Sequence, residues 1–229
     1  MTNPIYWLLP KKYRKILVSF FNTFTCNQTG FLFQQVGNYR VFLRNISEYL
    51  SVSSLDKLCK NFYYKFYLPN PQDTVVCIGA GLGHEAIWLH NLSQGARYIG
   101  VEIQPYVYEL LCNTFKQSNN LSAFGRAIDN TQQTYYLNSP ANYTAVASET
   151  SGNIEVDSIR WMDFLLKYKI EHIDLLQINI EGAEKYLLPM IKDYTNIKRI
   201  IVSAHDFRAD RGDGEHFRTG DYVKNYLTS

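Results

Sequence analysis

The feature that most constrains the fold is a regular alternation of short apolar runs and longer amphipathic segments that begins at Thr74. Short apolar runs bounded by turn residues indicate buried strands, and the segments between them have apolar residues at helical spacing. This alternation predicts an α/β domain with a mostly parallel sheet and helices on both faces. The predicted strands are Thr74–Ile78, Arg97–Val101, 122–127, 174–180 and 199–203, and the predicted helices are His84–Leu92, 104–115, 159–168, 182–192 and 221–227.

The first strand runs directly into a glycine-rich loop, residues 79–83. Glycine accepts positive φ and lets the backbone approach a ligand closely. A GxGxG spacing between a strand and a helix therefore favours ligand contact over a plain turn. A dinucleotide fingerprint needs a small residue where this chain has His84, which disfavours a nicotinamide-dependent oxidoreductase. The cofactor contacts predicted here are Gly79, Ala80, Gly81, Gly83 and Glu85.

Acidic residues follow three of the predicted strands. Glu102 ends the second strand, 19 residues beyond Gly83, where a carboxylate can accept both hydroxyls of an adenosine ribose. A solvated loop acid is the alternative, but the glycine loop upstream favours ribose binding. Asp129 follows the third strand and Glu181 the fourth, and we predict cofactor contact for both.

The candidate chemistry lies at the ends of the last two strands. Asn179 lies near the end of one, and His205 and Asp206 follow the other. We predict these as catalytic residues, with His205 as the base because a neutral imidazole is available near pH 7. Asp206 either orients His205 or acts as the base itself. A histidine that satisfies a local backbone group is the alternative for His205. A divalent cation at these side chains is disfavoured, since one Asn and one His bind hard cations poorly, so no metal is expected.

Two neighbouring features receive plainer interpretations. Glu184 is interpreted as an acid at the start of a helix, where the helix dipole favours negative charge. The glycine-containing loop 208–220 is expected to be mobile and to serve as a lid.

Residues 1–70 are predicted to form a helical and irregular extension that packs on a core domain, residues 71–229. A helix is expected near residues 12–24, and extended pieces at 31–35 and 40–43. No run approaches the roughly 20 apolar residues of a membrane helix. Residues 16–21 follow several basic residues and allow peripheral membrane contact, although packing on the core is favoured.

Charge and cysteine content limit the partners and the compartment. The net charge of +2 is too balanced for a nucleic-acid surface, so no nucleic-acid partner is expected. Four cysteines without CxxC spacing favour reduced thiols and a cytoplasmic location. The oligomeric state is not indicated.

Taken together, residues 74–83, Glu102 and residues 174–184 resemble the FkbM family of S-adenosylmethionine-dependent methyltransferases. The resemblance covers roughly residues 62–229, and its most specific part is Glu181-Gly182-Ala183-Glu184. It implies a Rossmann-like class I methyltransferase fold, S-adenosyl-L-methionine as cofactor, and methylation of a hydroxyl on a small molecule such as a sugar, glycolipid or polyketide.

The chain also departs from the family pattern. The family usually has Asp where this chain has Cys77, and Lys and Asp where it has Gln177 and Asn179. The fold usually closes with an antiparallel strand pair after the helix where this chain stops, so those strands are expected to be lacking or truncated. A catalytically impaired cofactor-binding protein of the same fold is therefore the alternative function.

Overall fold

The computed structural model describes residue 19, residues 22–137, the backbone of 147–148, and residues 152–191 and 196–228. Three antiparallel strands come first, β1 (Thr23–Thr25), β2 (Leu32–Val36) and β3 (Tyr39–Leu43). The extended pieces predicted in this region are therefore confirmed. The helix predicted over residues 12–24 lies mostly outside the described residues. Its last two positions, Thr23 and Phe24, are instead in β1, because they pair with β2.

Helix α1 (Val52–Leu58) follows, and the Ser51 hydroxyl caps it by accepting the N–H of Ser54 at 3.2 Å. A π-helical turn, Cys59–Tyr63, continues from its end. Leu55 is fully buried and joins the same apolar cluster as Val41 and Leu111. Residues of β3 and α1 therefore pack into the apolar core on one face of the main sheet.

The central sheet begins with β4 (Thr74–Ile78), α2 (His84–Leu92), β5 (Arg97–Val101), α3 (Pro105–Phe115) and β6 (Leu121–Phe124). All five residues of β4 are buried, as its apolar and β-branched composition predicts. Pro105 opens α3, where its missing N–H costs no helical hydrogen bond.

A second, smaller sheet contains β7 (Ala127–Ile128), β8 (Thr134–Leu137), β9 (Ala147–Ser148) and β10 (Ile154–Ile159), in the order β7-β10-β8-β9. The strand predicted over residues 122–127 is therefore two strands. Its first part, β6, pairs with β5 in the central sheet, whereas β7 pairs with β10, so the chain changes sheets at Gly125 and Arg126.

The remaining elements are α4 (Trp161–Tyr168), β11 (Leu175–Ile178), α5 (Glu184–Ile191), β12 (Ile200–Val202), α6 (Asp206–Asp210), a 3-10 turn (Glu215–Phe217) and α7 (Gly220–Thr228). After β12, the described chain up to Thr228 contains helical elements and no strand. None of the helices that the structure describes is long and apolar enough to cross a membrane.

The central sheet is fully parallel, with the order β12-β11-β4-β5-β6. Helices cover both faces, because Val75 and Cys77 belong to one apolar core, whereas Val76 and Ile78 belong to the other. The strand order reverses between β4 and β11. In open parallel sheets a ligand crevice forms at this point, outside the carboxyl ends of the two strands. The expected Rossmann-like class I arrangement is thereby confirmed.

Candidate functional site

A cleft of about 240 Å³ opens at this reversal point, between the loops that follow β4 and β11. It brings together residues that are far apart in the chain, as expected for the carboxyl ends of parallel strands. The predicted site residues that line it are Gly79, Ala80, Gly81, Glu85, Glu102, Asn179 and Glu181.

Gly79 fixes the floor of the cleft. Its φ is +85°, and a side chain there would collide with the carbonyl oxygen of Asn179. The N–H of Gly79 donates to the carbonyl of Val101, and the N–H of Asn179 donates to that of Ile78, both at 2.9 Å. The ends of three neighbouring strands are therefore joined by backbone hydrogen bonds, and only glycine fits between them.

Gly83 has a different environment from the one predicted. It does not line the cleft, and a Cβ there would lie 2.6 Å from the ring of Phe115 and 2.9 Å from Leu111. Its φ of +81° makes it the left-handed N-cap of α2. The absence of a side chain at Gly83 therefore allows the loop to pack on α3.

Glu102 holds the glycine loop to the end of β5. Its Oε2 accepts the N–H of Gly81 at 3.0 Å, and its Oε1 accepts the N–H of Gln104 at 2.9 Å. Burial raises the pKa of Glu102, although these two N–H donors oppose the effect. Each carboxylate oxygen can accept more than one hydrogen bond. Glu102 can therefore hold the loop and still accept hydroxyls from a ligand in the cleft.

Glu85 and His84 begin α2 on the cleft wall, and burial affects them in opposite directions. Burial raises the pKa of Glu85 to about 7 and lowers the pKa of His84 to about 4. Burial disfavours the charged form of each side chain, which explains both directions. His84 is therefore neutral near pH 7, whereas Glu85 is poised between its neutral and charged forms.

Two of the three departures from the family pattern lie below the cleft rather than in it. Cys77 and Gln177 are only 1% and 2% exposed, and neither lines the cleft. The Oε1 of Gln177 accepts a hydrogen bond from the Tyr98 hydroxyl at 3.3 Å. Of these three positions, only Asn179 faces the space where a ligand would lie.

His205 lies just behind the cleft, between two carboxylates. Its Nε2 is 3.5 Å from Oε1 of Glu181, and its Nδ1 is 3.4 Å from Oε1 of Glu184. Burial alone would lower the pKa of His205, but the two carboxylates outweigh that effect and raise it above its ordinary value. Glu181 lines the cleft and His205 does not, so Glu181 separates the imidazole from the cleft.

Glu184 has a larger role than the one predicted. It is in the first turn of α5, as expected, but it is completely buried. Its Oε2 accepts the Thr219 hydroxyl at 3.0 Å, and its Oε1 accepts the N–H of Gly182 at 3.3 Å. Burial alone would raise its pKa, but His205 and the N–H donors outweigh that effect and lower it. The three-residue spacing of Glu181 and Glu184 was the sequence signal that could have identified these two carboxylates as partners of one side chain.

Arg208, which the sequence did not single out, fastens the segment 208–220 to the cleft rim. Its guanidinium donates to Glu181 at 2.7 Å and to Asp213 at 2.9 Å, and it lies 3.7 Å from the ring centroid of Phe217. This segment, predicted as a mobile lid, contains the end of α6 and the 3-10 turn. Its other arginines, Arg211 and Arg218, form ion pairs within the segment.

Asp206 and Asp129 do not line the cleft. Oδ1 of Asp206 accepts the N–H groups of Thr219 and Gly220 at 2.8 and 2.9 Å, at the start of α7. The carboxylate of Asp129 accepts the N–H of Thr131 and the Tyr135 hydroxyl, both at 3.0 Å. Among the described residues, no group of three or more His, Cys, Asp or Glu side chains is arranged to hold a metal ion.

Several solved structures are similar to this chain at low identity. TYW2 of P. horikoshii, in complex with MeSAdo, shares 16% identity over 54% of this chain and 50% of its own, with a TM-score of 0.32. Coclaurine N-methyltransferase, bound to N-methylheliamine and SAH, shares 12% over 72% of this chain and 40% of its own, with a TM-score of 0.39. Fibrillarin of Aeropyrum pernix, with natively bound S-adenosyl-L-methionine, shares 14% over 90% and 82%, with a TM-score of 0.44.

The chain thus spans half or less of the first two of these proteins. No curated protein matches it in sequence. A family model described as "Methyltransferase FkbM domain" matches residues 78–227, which contain the glycine loop, Glu102, the Glu181–Glu184 pair and His205. This is the family that the sequence resembles, and its cofactor is S-adenosyl-L-methionine. The chain therefore belongs to the FkbM methyltransferase domain family.

Proposed function

We propose that this protein transfers a methyl group from S-adenosyl-L-methionine to a hydroxyl of a small molecule, such as a sugar, glycolipid or polyketide. The observation that carries the proposal is the cleft at the strand reversal, where the backbone of Gly79 and the carboxylate of Glu102 face the same space. Family membership supports the methyl donor. The free thiols of Cys26, Cys59, Cys77 and Cys112 support the cytoplasmic location expected from the sequence.

The residues present fit this cofactor. Glu102 lines the cleft and its oxygens can accept further hydrogen bonds, which supports it as the acceptor of the ribose hydroxyls, and Gly79 and Gly81 line the cleft beside it. Glu85 lines the cleft and gives it a carboxylate for the α-ammonium group. When bound, S-adenosyl-L-methionine supplies an electrophilic methyl on a sulfonium. The remaining task of the protein is to align the acceptor and exclude water.

A hydroxyl acceptor must also lose a proton, and the Glu181–His205 pair is the proposed destination. Glu181 lines the cleft, and Nε2 of His205 lies 3.5 Å behind its carboxylate. A proton released at Glu181 can therefore pass to a neutral His205. Because the two carboxylates raise the pKa of His205, its neutral form becomes abundant only as pH rises through a pKa above the ordinary value. We expect turnover to rise with pH through that pKa, and His205→Ala to abolish turnover while the cofactor still binds.

A catalytically impaired cofactor-binding protein is the second candidate. The observation in its favour is Asn179, which lines the cleft where the family usually has an acid. An amide cannot accept a proton or stabilise a cation as a carboxylate does. Cys77 and Gln177 give this candidate less support, because both are buried below the cleft.

Calorimetry tests the cofactor site first. S-adenosylhomocysteine should give heat on mixing with the full chain, and NAD should give none. Glu102→Gln should weaken S-adenosylhomocysteine binding by about tenfold or more, since it removes a charged hydrogen-bond acceptor worth about 1.5–3 kcal/mol. Glu109→Gln, an exposed acid on α3, is the matched control and should leave the affinity unchanged.

Methyl transfer then separates the two candidates. Labelled cofactor should transfer its methyl group to a hydroxyl compound in a panel of sugars, glycolipids and polyketides. Heat with S-adenosylhomocysteine but no transfer to any member would favour the impaired binding protein. Heat with NAD alone would contradict both candidates.

A further inference from the structure

An exposed patch adjoins the cleft in the segment after α1. We call it the docking patch and define it as Lys60, Phe62, Lys65, Phe66 and Leu68. Phe62, Phe66 and Leu68 are 68%, 85% and 50% exposed. Single exposed apolar side chains are ordinary, but three large ones within seven residues form a surface that favours a binding partner.

The segment that presents the docking patch is firmly held. Cys59 is completely buried, and Tyr64 is buried with its ring stacked on Trp88 at 5.4 Å between centroids. The N–H of Tyr64 donates to the carbonyl of Cys59 at 2.8 Å, which closes the π-helical turn. Phe62 and Phe66 therefore project outward from an anchored backbone.

The charge of the segment favours an anionic partner. Between Val52 and Asn70 the chain has three lysines, Lys57, Lys60 and Lys65, and a single acid, Asp56, which pairs with Lys60 at 3.0 Å, so three positive charges and one negative charge leave the segment with a net charge of +2. All three lysines are exposed. The Nζ of Lys65 lies 5.0 Å from the ring centroid of Phe66, so the cation and the apolar surface are adjacent. Lysine can lay its aliphatic stem on apolar surface while its charge stays in water.

Exposed Phe and Leu side chains beside lysines match the boundary between lipid headgroups and acyl chains in an anionic bilayer. Protein interfaces are also enriched in Phe, but their centres are depleted in lysine, whereas the docking patch places lysines directly beside its apolar side chains. The docking patch therefore fits a lipid surface better than a protein partner.

The docking patch is also next to the proposed reaction site. Tyr63, which follows Phe62 in the chain, lines the cleft together with Gly79 and Glu181. We propose that the docking patch seats the protein on an anionic membrane surface, so that the cleft meets hydroxyl acceptors carried by lipids. Membrane seating itself does not depend on the proposed methyl transfer, whereas the choice of a lipid-borne acceptor rests on it.

Vesicle sedimentation tests the seating directly. The full chain should sediment with vesicles of phosphatidylcholine and phosphatidylserine, less with phosphatidylcholine alone, and less as salt increases. Phe62→Ser/Phe66→Ser and, separately, Lys60→Glu/Lys65→Glu should each weaken binding to the anionic vesicles by about tenfold or more. Met162→Ser/Leu166→Ser is the matched control, because these exposed side chains of α4 lie outside the docking patch, and it should bind like the unmodified chain.

Calorimetry with S-adenosylhomocysteine reports whether each variant keeps its fold and its cofactor site. If the phenylalanine variant loses this heat, the lysine variant decides the result, since it changes only exposed charges. Equal sedimentation with anionic and neutral vesicles would overturn the proposal. Unchanged binding of the lysine variant to anionic vesicles would also overturn it. So would binding of a protein by the docking patch while vesicle binding stays at background. If the unmodified chain binds anionic vesicles but transfers no methyl group, only the proposed function is contradicted.

Discussion

At the residue scale, the sequence revealed side chains whose role depends on a local motif. The glycine loop and Glu102 are examples, because a strand, a tight turn and a following acid are all visible within about thirty residues. The contacts of Glu184 and Arg208 were not predicted from the sequence. Their partners, Thr219 and Glu181, are 35 and 27 residues away and meet them only after folding. Side-chain networks between distant loops leave no regular spacing in a sequence.

Gly79→Ala tests whether the close contact between strand ends matters beyond backbone conformation. Gly79 and Gly212 both have a φ of +85°, but a Cβ at Gly212 meets nothing within 4 Å, whereas one at Gly79 meets the carbonyl of Asn179. Gly212→Ala should cost about 1–2 kcal/mol, the usual penalty for a left-handed alanine. Gly79→Ala should cost several kcal/mol more than that and abolish S-adenosylhomocysteine binding. Urea unfolding measures both, and equal costs would contradict the contact.

The pKa of Glu85, raised to about 7, predicts pH-dependent cofactor affinity. A charged Glu85 attracts the α-ammonium group, and the charged fraction grows as pH rises through about 7. Affinity for S-adenosyl-L-methionine should therefore increase between about pH 6 and about pH 7.5. Calorimetry of the unmodified chain and of Glu85→Gln measures this, and the variant should lose most of the increase. Parallel pH profiles for the two proteins would remove Glu85 from the ammonium site.

At the element scale, the prediction was best where each strand is followed directly by its helix. The bounds of β4, α2 and β5 agree with the pattern, because buried β-branched runs and helical spacing are local properties. It was least accurate at β6 and β7, where an apparently continuous run divides between two sheets. A change of sheet depends on pairing with β10, which lies about thirty residues later, so the local pattern cannot show it.

Asp206 tests the link between α6 and α7. Its Oδ1 accepts the N–H groups of Thr219 and Gly220 at the start of α7. Removal of the carboxylate would take this acceptor away from both donors. Asp206→Ala should therefore destabilise the protein by about 1–2 kcal/mol, as loss of a helix cap does, and leave S-adenosylhomocysteine affinity unchanged. Urea unfolding and calorimetry measure the two effects. A loss of turnover far beyond the loss of folded protein would instead support the catalytic role predicted from the sequence.

At the scale of the whole molecule, the strand order determines where the cleft lies. The chain builds β4, β5 and β6 outward in one direction and then returns to place β11 and β12 on the other side of β4. The alternation of strands and helices predicted a parallel sheet but not the order of its strands. Only the family resemblance, which implies a Rossmann-like fold, predicted that order. The reversal places Asn179 and Glu181 opposite the glycine loop, about one hundred residues away in the chain.

The buried Glu184–His205 pair joins α5 to the loop before α6 and should make the stability of the whole fold depend on pH. The folded pKa of His205 is raised above its ordinary 6.5, so its contribution is complete below that value and is lost as pH rises through the folded pKa. The folded pKa of Glu184 is lowered below its ordinary 4.5, so its contribution is complete above that value and is lost as pH falls through the folded pKa. Both contributions are present between those two ordinary values.

The free energy of unfolding lost in Glu184→Gln should therefore be largest near about pH 5.5 and smaller near about pH 8.5. Urea unfolding at both pH values measures this, with the exposed Glu155→Gln as a control that should show a small, constant difference. A difference for Glu184→Gln that does not change with pH would mean that the pair is not charged in the folded protein.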